Sequence, residues 1–109
     1  MKAFMVKLQK TYESKMHVRH LFLTYPLIIT FHIAGKKEQW CINDCEILPL
    51  YQRIEHAKEV IITGSEEECF KLLSGDSDAI VNIDGSFRDK LLLEAFMQLV
   101  TRNSSEKNR

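Results

Sequence analysis

Residues 86–101, SFRDKLLLEAFMQLVT, constrain the fold most. Set on a helix at about 100° per residue, their apolar side chains fill well over half the circle. Phe87, Leu91, Ala95 and Leu99 lie on one side. Leu92, Phe96 and Val100 lie centrally, and Leu93 and Met97 lie on the other side. Lys90, Glu94, Gln98 and Thr101 make a polar strip, with Arg88 and Asp89 confined to the first turn. Packing a helix on one sheet takes a stripe of about 100° or a little more. Leaving Leu93 and Met97 in water would forgo roughly 1.5–3 kcal/mol each. The surplus therefore needs a second apolar partner. A first helix, a ligand or another copy of the chain would each serve.

The 109 residues suffice for one domain, which can bury a core without metal or disulfide support. Residues 2–16 read as a helix whose stripe is Met1, Phe4, Met5, Leu8, Tyr12 and Met16. The exit from it falls in residues 17–21. Residues 24–35 alternate as a strand, with Tyr25, Leu27, Ile29, Phe31 and Ile33 on one face. Ile28, Thr30 and His32 share the other. Pro26 belongs near the start of the strand or on an edge. Gly35-Lys36-Lys37 forms a turn, residues 39–42 a second strand with Trp40 and Ile42 on one face, and Asn43-Asp44 a hairpin turn. Residues 45–50 and 59–63 make two more strands, joined by a polar connection over 51–58.

Ser65 with Glu68 three residues on predicts a capping box. Glu66 and Glu67 suit the first turn of that helix. Cys69, Phe70, Leu72 and Leu73 form its apolar side, and Gly75 is the natural residue just past its end. Residues 79–83 read as a fifth strand ended by Asp84-Gly85. Ser86 caps the closing helix, with Asp89 at the third position. Residues 102–109 are a flexible polar tail, so one domain takes residues 1–101. The order α-β-β-β-β-α-β-α predicts an α+β fold: a five-stranded, mostly antiparallel (mixed) sheet with helices packed on one face.

The net charge is zero, which gives no argument for nucleic acid. The charges are unevenly placed. Residues 1–37 hold seven basic residues and one acid, whereas residues 38–94 hold five basic and thirteen acidic residues. The basic first third is a solvated helix face or a contact for an anionic membrane or an acidic partner. Cys41, Cys45 and Cys69 are odd in number and lack C-x-x-C spacing, so reduced thiols in a cytoplasmic protein are expected. No apolar run reaches the ~18 residues of a spanning helix.

Four segments together resemble the sterol carrier protein 2 family: IITFHIAG, EQWCIND, KEVIITGSEEECFKLLSGD and AIVNIDGSFRDKLLLEAFMQL. An alternating strand ends in Gly, and a Trp-bearing strand leads into a turn. A strand then enters a capped helix closed by Leu-Leu-x-Gly, here LLSG at 72–75. Last, a strand reaching Gly precedes the closing amphipathic helix. The resemblance spans about residues 27–100. Members commonly carry an extra segment after the Leu-Leu-x-Gly turn, which often forms one wall of a lipid tunnel. Only Asp76-Ser77-Asp78 stands there in this chain, so the tunnel does not carry over with the resemblance.

The resemblance implies a non-enzymatic carrier with no cofactor, binding a fatty acid, fatty acyl group or sterol-like lipid between sheet and helices. Phe70, Leu73, Leu92, Phe96 and Val100 would face the ligand from the helices. Phe31, Ile33, Trp40, Ile42 and Ile83 would face it from the sheet. The alternative is a homodimeric interaction module with a filled core. Met1, Met5, Met16 and Met97 suit an adaptable pocket or ordinary gap filling. His17 and His20 have i, i+3 spacing but no evident third metal ligand. Cys41 and Cys45 share strand parity across the turn and could be neighbours. His32 reads as a hydrogen-bonded sheet residue, and His56 lies among charges in a loop. No G-x-S-x-G, phosphate loop or EF-hand spacing is present, so no catalytic residues and no metal are expected.

Overall fold

The computed structural model describes residues 2–23, 26–50, 58–76 and 78–101. Expectations for Met1, Tyr25, His56, most of the 51–58 connection and the 102–109 tail lie outside them. Five strands form one sheet in the order β3-β2-β1-β4-β5. They are β1 (Leu27–Ile33), β2 (Lys36–Ile42), β3 (Ile47–Pro49), β4 (Lys58–Thr63) and β5 (Asn82–Asp84). β1 pairs parallel with β4, and every other pair is antiparallel. The α+β fold with a mixed sheet is as the sequence predicts.

Alternation sorts the two sheet faces. Ile29 stands between Trp40 and Val60, and Ile62 lies between Phe31 and Ile83. These residues face the helices in one contiguous core. On the other face Thr30 is fully buried, accepting from Gln39 Nε2 at 3.0 Å and donating to Glu59 Oε2 at 2.6 Å. His32 is exposed on that face, beside Lys37 and Thr63.

Among the described residues four α-helices accompany the sheet: α1 (Lys2–Glu13), α2 (Met16–Arg19), α3 (Glu66–Leu73) and α4 (Phe87–Thr101). α1 ends three residues before the predicted boundary. Lys15 leaves helical geometry, so Met16 starts a new turn and is 63% exposed rather than on the stripe. Met5, Leu8 and Tyr12 keep the expected buried face. Tyr12, Phe22 and Phe96 form a triangle of edge-to-face rings, with centroids 5.6–6.1 Å apart. This seats the amino-terminal segment on α4. The Tyr12 hydroxyl donates to the Asn43 carbonyl at 2.6 Å, and Arg19 Nε donates to the Asp44 carbonyl at 2.8 Å. Both bonds hold the β2–β3 turn under the helices.

Turns account for most shifted boundaries. The β1–β2 turn is Ala34-Gly35, both at positive φ, so β2 begins at Lys36 rather than residue 39. Positive φ at both central residues is the two-residue hairpin geometry that matches strand twist. The next turn takes four residues, because Ile42 pairs with Ile47. Asn43 Oδ1 accepts from the backbone of Cys45 and Glu46, each at 2.8 Å. β3 is correspondingly shorter than expected. Cys41 then faces Leu48 and is buried, while Cys45 is exposed in the turn, so the two are not neighbours.

β5 starts at Asn82 rather than residue 79, and Ile80 is 80% exposed. Its amide is held instead by Glu68 Oε1 at 2.7 Å. Val81 packs close to Gly64, where an added Cβ would come within 3.0 Å of its side chain.

Candidate functional site

α3 and α4 are placed by their ends. The Ser65 hydroxyl accepts from the Glu68 amide at 3.2 Å, which is half of the predicted capping box. The other half is absent because the Glu68 carboxylate turns to Lys71 at 3.1 Å and to the Ile80 amide. Those bonds, first that from Ile80 and then that from Lys71, hold the Glu68 carboxyl below its ordinary range. At the other end Gly75 N donates to Leu72 O at 3.0 Å and Asp76 N to Lys71 O at 2.9 Å. With Gly75 at φ +91, this is the double-bonded glycine stop expected at that position. In α4 the Ser86 hydroxyl accepts from the Asp89 amide at 3.1 Å, as expected.

A half-open groove of about 340 Å³ lies between α3, α4 and β5. Leu72, Ile83, Leu93 and Met97 supply its apolar lining. Gly75 and Asp76 border it where α3 stops, and Lys90, Glu94 and Gln98 border it from α4. The lining positions on α4 run 90, 93, 94, 97 and 98, one helical face. The short 76–81 connection to β5 begins at this border.

The surplus apolar surface of α4 is thus divided. Phe96 and Val100 are buried in the core with Leu93, against the sheet and the amino-terminal helices. Leu93 and Met97 also line the groove. Phe87 and Leu91 remain 78% and 48% exposed, one turn apart.

Of the ten residues expected to face a ligand, Ile83 lines the groove. Phe31, Trp40, Ile42, Leu73, Phe96 and Val100 are packed on one another in the core, with Ile33 and Leu92 at its margin. Phe70 is half-buried with its ring 5.3 Å from that of Phe4. Leu72 and Leu93 line the groove in addition to those ten, as does Met97, which the sequence marks for an adaptable pocket or gap filling. The signal for them was present in the far side of the α4 wheel and in the apolar side of α3. The rim residues gave none, because charged positions on a helix read as solvated. Met5 is buried in the core, so of the described methionines only Met97 meets the groove.

Burial raises the Cys41 thiol above its ordinary value. Burial, aided by Glu66 and Glu68, does the same for Cys69, so both stay protonated near neutrality. His17 and His20 are exposed. Among the described residues no helix is long and apolar enough to cross a membrane.

No protein-family model matches the sequence, and no curated protein does so. A solved structure described as UbiJ-SCP2 ubiquinone synthesis protein superposes with a TM-score of 0.64. The match covers 91% of this chain and 93% of that one at 10% identity. The likeness is one of fold: this chain has the architecture of a sterol carrier protein 2-like domain.

Proposed function

We propose that this chain binds an apolar small molecule or lipid in the groove between α3 and α4, without acting on it chemically. The groove carries the reading. Its volume, about 340 Å³, lies within the range of small-molecule sites, roughly 300–1,000 Å³. Its lining is apolar and its border polar, the arrangement that seats a hydrocarbon chain and leaves a head in water. Each Å² of chain buried there would contribute about 25 cal/mol. The shared fold supports the reading, and the neighbour's link to ubiquinone synthesis adds isoprenoid quinones to the ligands worth testing. In this reading Ile83 touches the ligand directly. Of the other nine residues expected to face it, eight belong to the packed core or its margin, and Phe70 packs on Phe4.

The test is mass spectrometry of lipid extracted from the purified protein, with titration of the neutral dye Nile red. Met97→Trp should fill the groove and weaken dye binding severalfold. No extracted lipid, and dye binding unchanged by Met97→Trp, would refute the proposal.

Two accompanying readings have their own observations. Exposed Phe87 and Leu91 favour a homodimer through α4, because an isologous contact doubles whatever apolar strip it covers. Light scattering that gives a monomer at all concentrations removes that reading. Exposed Lys2, Lys7 and Lys10, together with exposed Val6, Met16 and Leu23, favour transient docking on an anionic membrane for cargo exchange.

A further inference from the structure

We infer that the groove prefers an apolar chain ending in a positively charged amine over one ending in a carboxylate. The inference rests on the ligand-binding reading above and narrows it. Two carboxylates, Asp76 and Glu94, border the groove against one cation, Lys90. The carbonyl end of α3 lies at the same border through Gly75 and Asp76, and that end carries the negative pole of the helix dipole. Among other exposed charges within two residues of lining positions, the acids Asp78 and Asp84 are matched by the bases Lys71 and Arg88, so the balance is set by the border residues themselves. All of this falls in the stretch where acids outnumber bases thirteen to five. The apolar lining accepts any hydrocarbon chain alike, so the head group decides between chains of equal length. A carboxylate head meets like charge at the border, and an ammonium head meets opposite charge. A unit pair about 4 Å apart in water is worth about 1 kcal/mol, or roughly fivefold in affinity.

The test displaces Nile red with decylamine, decanol and decanoate, which share one chain and differ in head. The expected order of potency is decylamine, then decanol, then decanoate, with about fivefold or more between the first and the last. The gap should narrow as salt rises and should collapse in the double variant Asp76→Asn/Glu94→Gln. Both positions are exposed, so that variant is expected to fold; circular dichroism checks this. If decanoate is the most potent, or the order survives in the double variant, the charge preference is wrong while the groove stands. If no probe displaces the dye and Met97→Trp leaves dye binding unchanged, the groove reading falls, and this inference with it.

Discussion

Lys15 Nζ donates to the Leu99 carbonyl oxygen at 2.9 Å, across 84 positions of sequence. The lysine stands at the break between α1 and α2 and is only 9% exposed. Its target belongs to the last turn of α4, where carbonyls lack partners within the helix. A cation there also complements the negative end of the helix. One side chain thus joins the amino-terminal segment to the end of the closing helix.

Lys15→Met keeps an apolar stem and removes the charged donor. It should cost about 1–3 kcal/mol, read as a lower midpoint in urea with an unchanged slope. A variant as stable as the parent would show that the bond contributes nothing net.

The buried Tyr12 hydroxyl should also matter. Tyr12→Phe keeps the ring triangle and leaves the Asn43 carbonyl without its donor, at about 1 kcal/mol. Burial raises the Tyr12 phenol above its ordinary range. The folded state therefore holds this proton more tightly than the unfolded state. Its contribution is complete below the unfolded value of about 10 and is lost as pH rises beyond it. Alkaline unfolding followed by tyrosinate absorbance should accordingly have a shallower pH dependence in Tyr12→Phe.

Glu68 gives the opposite sign. Its carboxyl is held low by the Ile80 amide and Lys71, so its contribution is present above the ordinary glutamate value. It is lost as pH falls through the lowered folded value. Glu68→Gln should reduce the melting temperature at neutral pH. The gap from the parent should close in acid, and exchange of the Ile80 amide should quicken at neutral pH.

Ala34 sits at φ +52 in the β1–β2 turn, a conformation disfavoured by its Cβ. Ala34→Asn should stabilise the chain by about 0.5–1 kcal/mol, since Asn-Gly is the preferred pair in such turns. Thermal melts test this directly, and a lowered midpoint would contradict it.

Docking on anionic membranes predicts loss of binding on charge reversal. Lys7→Glu/Lys10→Glu should weaken co-sedimentation with phosphatidylserine vesicles tenfold or more, at about 1 kcal/mol per basic residue. Binding equal to the parent would exclude these two lysines from any such surface.

Sequence patterns located the elements because period and capping are local properties. Ser65, Gly75 and Ser86 mark helix ends through bonds within a few residues, and all three end a helix where expected, although Ser65 makes only half of its capping box. Alternation in β1 placed Leu27, Ile29 and Phe31 together on the buried face for the same reason. Turn lengths were less legible. Lys36 and Lys37 look like turn residues, yet Ala34-Gly35 makes the turn and frees both lysines for β2. The beginning of β5 depends on a long-range competitor, the Glu68 carboxylate, which captures the Ile80 amide. The groove was the least legible feature. Apolar residues such as Phe96 and Leu93 look alike on a helical wheel. Only the placement of α3 and β5 decides which of them borders a hollow.

The ring triangle joins Tyr12 and Phe22 to Phe96, which is made long after them. On the ribosome the amino-terminal helices emerge long before that third ring exists. The sheet can pair from β1 to β4 while the chain is still growing, but the layer that covers it stays unfinished until α4 is released. A truncation or stall before α4 would therefore leave an assembled sheet with its oily side uncovered, the species most exposed to aggregation and to chaperone capture.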